Sequence, residues 1–88
     1  MVAGGSKREK TITVQVSLNE VGGLEVTIEP YLDGELLSSQ VRVVDSSVSS
    51  INIQVKGIAG KKRLDVKFNN VPKKSYVLDF DAGNYVEL

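Results

Sequence analysis

The chain of 88 residues reads as an all-β protein built as a two-sheet sandwich. Apolar side chains recur at every second position in one stretch after another. No stretch of useful length carries the i, i+3, i+4 spacing of an amphipathic helix. The stretches are separated by short clusters of Gly, Asn, Asp, Ser and Pro, the residues that turn a chain sharply.

Lys7-Arg8-Glu9-Lys10 closes an amino-terminal tail or linker over residues 1–10, and the folded domain runs over residues 11–88. From Thr11 to Leu18, Ile12, Val14, Val16 and Leu18 share one face, with Thr13, Gln15 and Ser17 on the other. A strand places successive side chains on opposite faces, so this is a half-buried strand. Asn19-Glu20-Val21-Gly22-Gly23 turns the chain. Leu24, Val26 and Ile28 then alternate with Glu25, Thr27 and Glu29 in a second strand that ends near Pro30-Tyr31. Pro cannot donate a ladder hydrogen bond, which argues for a strand end there.

Asp33-Gly34 is the clearest hairpin signal, because both positions of a type I′ turn need positive φ. The return strand runs through Leu36 to Val44 and is broken by Asp45-Ser46-Ser47. Ile51, Ile53 and Val55 alternate with Ser50, Asn52, Gln54 and Lys56. After a loop at Gly57-Ile58-Ala59-Gly60-Lys61-Lys62, Leu64, Val66 and Phe68 repeat the pattern. Asn69-Asn70-Val71-Pro72 forms a turn or loop. Tyr76, Leu78 and Phe80 make the last clear inward row, and Asp81-Ala82-Gly83-Asn84 leads into a short strand at Tyr85 to Leu88. Six to seven antiparallel strands with one apolar face each need a second sheet to cover them. The architecture expected is an immunoglobulin-like or jelly-roll β-sandwich.

Composition narrows the function. Eleven basic and eleven acidic residues cancel to a net charge of zero, which removes the whole-molecule field of a general nucleic-acid or membrane binder. No apolar run reaches the ~20 residues of a membrane-spanning helix. Met1-Val2-Ala3-Gly4-Gly5-Ser6 lacks the apolar core of a signal peptide, so any export signal of a parent protein lies outside this sequence. The chain has no His and no Cys, and no Gly-rich phosphate loop between a strand and a helix. The usual bases and thiol nucleophiles are missing, and the expectation is a protein that is not an enzyme and needs no cofactor.

Two clusters stand out. Asp79, Asp81 and Asn84, with Glu87, Asn69 and Asn70 as further donors, supply the carboxylate and amide oxygens that suit Ca²⁺, and Asp-x-Asp spacing on a strand points both carboxylates to one face. A solvent-facing strand edge followed by a hairpin turn accounts for the same residues. Charge is also segregated. Between Thr11 and Gln40 every charged side chain is acidic, at Glu20, Glu25, Glu29, Asp33 and Glu35, whereas between Lys56 and Lys74 the basic Lys56, Lys61, Lys62, Arg63, Lys67, Lys73 and Lys74 are opposed only by Asp65. This leaves open a basic docking face, two complementary faces for stacking modules, or plain cross-strand pairing. A protein partner or self-association is expected before a glycan. There is no Trp, and Tyr31, Tyr76 and Tyr85 are the only polar aromatics. Nucleic acid is disfavoured, because no aromatic residues interleave the basic ones.

Thr11-Ile12-Thr13-Val14-Gln15-Val16, Gly22-Gly23-Leu24-Glu25-Val26, Tyr31-Leu32-Asp33-Gly34 and Gly60-Lys61-Lys62-Arg63-Leu64-Asp65-Val66 resemble the CARDB type of adhesion-related domain, an immunoglobulin-like or fibronectin-type-III-like sandwich. That resemblance covers roughly residues 11–70 and implies a binding or structural module of a larger extracytoplasmic or cell-surface protein. Leu64-Asp65-Val66-Lys67-Phe68-Asn69-Asn70 with Leu78-Asp79-Phe80 resembles the end of calcium-holding jelly-roll carbohydrate-binding modules. It implies, as the alternative, a sugar-binding module attached to a secreted enzyme.

Overall fold

The computed structural model describes residues 8–18, 25–45 and 47–88, with Lys73 through its backbone alone. The turn expected at Asn19-Glu20-Val21-Gly22-Gly23, Leu24, Ser46 and most of the amino-terminal tail lie outside the described residues.

The described residues form eight strands and no α-helix: β1 (Lys10–Ser17), β2 (Glu25–Leu32), β3 (Glu35–Leu36), β4 (Arg42–Asp45), β5 (Ser50–Gly57), β6 (Lys61–Phe68), β7 (Val71–Asp79) and β8 (Asn84–Glu87). A single 3₁₀ turn, Ser38–Gln40, separates β3 from β4. β1 and β5 pair antiparallel as a two-stranded sheet; β3, β2, β6, β7 and β8 follow one another across the second sheet, in which β4 also pairs with β2. This is the two-sheet antiparallel sandwich that the alternation predicts. The strand count exceeds the expected one because the return strand after Asp33-Gly34 is split by the 3₁₀ turn.

The core lies between the sheets. Ile12, Val14, Val16 and Leu18 from β1 and its end, with Ile51, Ile53 and Val55 from β5, face Val26, Ile28, Leu64, Val66, Phe68, Tyr76, Leu78 and Phe80. Every described member of the inward rows read from the sequence is buried. The two central hairpins turn as their residues dictate: Asp33 and Gly34 have φ of 50° and 86°, and Asn69 and Asn70 of 51° and 67°. Asp33 also accepts the Arg63 amide at 2.9 Å, tying the first hairpin to β6. Replacing Gly34 by Ala puts a Cβ on a left-handed residue with nothing near it, so the cost is conformational alone. A loss of about 1 kcal/mol in urea unfolding is expected.

Two prolines sit inside strands instead of ending them. Asn69 donates its amide to the Thr27 carbonyl and Asp33 donates to Arg63, so the odd-numbered residues of β2 face β6. Pro30 therefore points its nitrogen the other way, where the 3₁₀ turn interrupts the neighbouring strand, and its carbonyl takes the Leu37 amide at 2.8 Å. The Leu37 carbonyl, which an amide at position 30 would reach, instead accepts the Gln40 amide of the 3₁₀ turn at 2.9 Å, and β2 continues to Leu32. Pro72 falls at the irregularity between Val66 and Lys67, where β7 carries an extra residue.

Candidate functional site

The acidic loop does not gather into a metal cluster. β7 ends at Asp79, so Asp81 lies in the turn, outside the alternation that would have set both carboxylates on one face. The Asp79 carboxylate accepts the amides of Asp81 and Ala82, each at 3.0 Å, while Asn84 pairs with Asp79 across the hairpin. That is a carboxylate organising a turn. No group of three or more acidic side chains able to hold a metal ion occurs among the described residues.

The basic residues are dispersed as well. Lys62 lies 3.7 Å from Asp33, Arg63 lies 3.1 Å from Asp65 and Lys74 lies 3.7 Å from Glu87. Lys61 stands opposite Asp79 in the β6–β7 register. Alternation puts Lys62 on the opposite face from Lys61 and Arg63. Lys74 stands opposite Val66, roughly 10–17 Å further along β6 at ~3.3 Å per residue. The Lys73 side chain lies outside the described residues. The segregation seen along the chain becomes cross-strand neutralisation, since acidic β2 runs beside basic β6 and Glu29 faces Lys67.

On the outer face Asp65 accepts the Ser75 hydroxyl at 2.6 Å and the Arg63 Nε at 3.1 Å. The Ser75 hydrogen bond, with Arg63 and Lys67 nearby, holds the Asp65 carboxyl below its ordinary value of 3.8. A carboxylate so held is a weak base, and Asp65-Ser75 is a structural pair. Because the folded-state value is depressed, its stabilisation is present above pH 3.8 and is lost as the pH falls through the folded-state value. Asp65→Asn is expected to flatten the acid limb of a stability-against-pH curve, measured by urea unfolding.

The edges of the two-stranded sheet are more informative. Gln15 donates its amide to the Tyr85 hydroxyl at 3.2 Å, so this amide points away from β5. Alternate residues of an antiparallel ladder face the same way, and Thr11 and Thr13 point outward too. On β5 the Gln54 amide meets the side-chain Oε1 of Gln40 at 3.4 Å, so Asn52, Gln54 and Lys56 point outward on the opposite edge. The β1 edge is met by Tyr85 of β8 and the β5 edge by Gln40 of the 3₁₀ turn, and neither edge pairs with a further strand among the described residues. The stretch Thr11–Leu18 carries no charge, Pro or Gly, the features that commonly protect an edge.

Beside the β5 edge a cleft of about 370 Å³ opens between the sheets. Leu32, Leu37 and Val55 give it apolar surface, and Gln40, Gln54 and Lys56 give it polar groups. A second hollow, on the outer face of β1 and β5, is lined by Gln15, Ser17, Ser49 and Ser50 among the described residues. Sequence reading gave Gln40, Gln54 and Tyr85 no part in an edge, Tyr85 being read only as a polar aromatic. The uncharged run at Thr11–Leu18 was the available signal for an open edge; the stoppering of β5 by a glutamine 14 positions away left none.

Fold and edges together define a two-sheet antiparallel β-sandwich whose smaller sheet pairs with no further strand on either side among the described residues. No family model, curated protein or solved structure matches the chain. No helix among the described residues is long and apolar enough to cross a membrane.

Proposed function

We propose that the chain is a non-catalytic β-sandwich module that makes protein–protein contacts by strand pairing at the edges of its two-stranded sheet. One observation carries this reading: the outward amides of Thr11, Thr13, Asn52 and Lys56 pair with no strand among the described residues, and those of Gln15 and Gln54 are held by side chains. Main-chain pairing with an added strand satisfies such groups and supplies affinity through backbone hydrogen bonds. The absence of His and Cys and the turn-forming role of Asp79 support the non-catalytic part. A place in a larger extracytoplasmic or surface protein belongs to the same proposal and rests on the CARDB resemblance.

Proline provides the test, because at an outward position it removes the docking donor without breaking a β1–β5 bond. The chain is panned against a random library of seven-residue peptides. Peptides it selects are expected to lose binding to the double variant Thr13→Pro/Asn52→Pro, checked for its fold by circular dichroism. Peptides that bind this folded variant as well as the original chain would contradict the reading.

A further inference from the structure

We infer that the cleft beside the β5 edge is a groove for an extended peptide carrying an apolar side chain next to an Asp or Glu. This rests on the strand-pairing reading above and names the site and the partner chemistry.

The two open edges are unequal. Among the described residues the hollow that touches β1 is polar, lined by Gln15, Ser17, Ser49 and Ser50, whereas β5 borders a cleft with apolar lining of about 370 Å³, at the small end of the ~300–1,000 Å³ typical of ligand sites. An added strand on β5 would place one side chain opposite Val55, on the core side, where Leu32 and Leu37 offer apolar contact. Its neighbour in sequence would stand opposite Lys56, on the outer face, because successive strand residues alternate. Lys56 is exposed, and among the described residues it forms no ion pair and shares the cleft with no acidic side chain. A carboxylate at that position is the complement, and the pair apolar–acidic follows from the register.

Gln40 occupies the place of the incoming strand. Its Oε1 accepts the Gln54 amide where a partner's backbone carbonyl would, and at 3.4 Å the bond is long. Gln40 therefore competes with the ligand, which gives the groove a signature of opposite sign to an ordinary contact residue. Gln40→Ala is expected to strengthen binding, because it vacates the Gln54 amide. Lys56→Glu is expected to weaken it.

The experiment uses the full chain with ¹⁵N labelling and the seven-residue peptides selected from the library. Selected sequences are expected to be enriched in an apolar residue adjacent to Asp or Glu, and to shift the amide resonances of Gln54, Val55 and Lys56. Gln40→Ala should tighten binding about 3–10-fold, the range of one net hydrogen bond. Lys56→Glu should weaken it at least about twofold, as expected of one exposed charge pair reversed. Peptides that shift Thr11, Thr13 and Gln15 and respond to Tyr85→Phe, with no response to Gln40→Ala, would overturn this inference and leave strand pairing in place. Cleft-binding peptides without the acidic residue would overturn the partner chemistry. Selection of no peptide would overturn both readings.

Discussion

Phe80→Ala is expected to lower the unfolding free energy by about 3–5 kcal/mol, the usual cost of deleting a fully buried aromatic ring. Phe80 is wholly buried where β7 ends, and its carbonyl takes the Lys10 ammonium at 2.9 Å from the start of β1. Its amide donates to the Gly60 carbonyl, so the backbone is fixed on both sides of the ring. The ring lies so close to β5 that a Cβ on Gly57 would stand 2.8 Å from two of its atoms. Collapse into the vacated space is limited by this framework, which places the cost in that range. Gly57→Ala acts in the opposite sense, by overpacking, and is expected to cost about 1–3 kcal/mol. The two are coupled: Gly57→Ala should cost measurably less when Phe80 is already Leu, because the shorter side chain leaves room for the methyl group. Urea unfolding of the four proteins measures the cycle, and additive costs would mean that the contact is not the cause.

Tyr76→Phe is expected to stabilise the protein. Tyr76 is 1% exposed, and its hydroxyl is the buried side-chain polar atom left without a hydrogen bond among the described residues. Its ring packs edge-on against Tyr85 at 5.9 Å between centroids, a contact that Phe preserves. Deleting an unsatisfied buried hydroxyl removes a desolvation cost of about 1–3 kcal/mol. The effect grows in alkali. Burial, with Glu87 and Tyr85 nearby, pushes the Tyr76 phenol up from 10.0 to about 12. With the folded-state value raised, the stabilisation from the bound proton is complete below pH 10 and is lost as the pH rises through 12. Over that window the unmodified chain should lose about 2–3 kcal/mol that Tyr76→Phe keeps, at ~1.4 kcal/mol per pH unit. Chemical unfolding of both proteins at pH 8 and at successive steps above pH 10 isolates this contribution, because the other tyrosines and lysines titrate in both.

The inward rows were legible because burial of one face forces alternation, and Ile12 to Leu18, Ile51 to Val55 and Leu64 to Phe68 alternate without exception. The Asp33-Gly34 turn was legible because its backbone conformation restricts the residue types. What escaped depends on which strand lies beside which. Pro30 looked like a strand end because its neighbour could not be known to break at Ser38–Gln40. The basic run looked like a patch because pairing with β2 and alternation across β6 are properties of the sheet. Asp79 and Asp81 share a face only where a strand holds both, and the strand ends at Asp79 because its carboxylate caps the turn that follows. The open edges were half legible. An uncharged β1 is visible in the sequence, but the meeting of Gln54 with Gln40, and of Gln15 with Tyr85, comes from the fold alone.

Amide hydrogen exchange on the isolated chain tests the open-edged sheet most directly, residue by residue. The outward amides of Thr11, Thr13, Asn52 and Lys56 should exchange rapidly, those of Gln15 and Gln54 at intermediate rates, and the paired amides of Ile12, Val14, Ile53 and Val55 only through larger openings. Equal protection of Thr13 and Val14, and of Asn52 and Ile53, would mean that another strand already covers these edges and that they are closed to a partner.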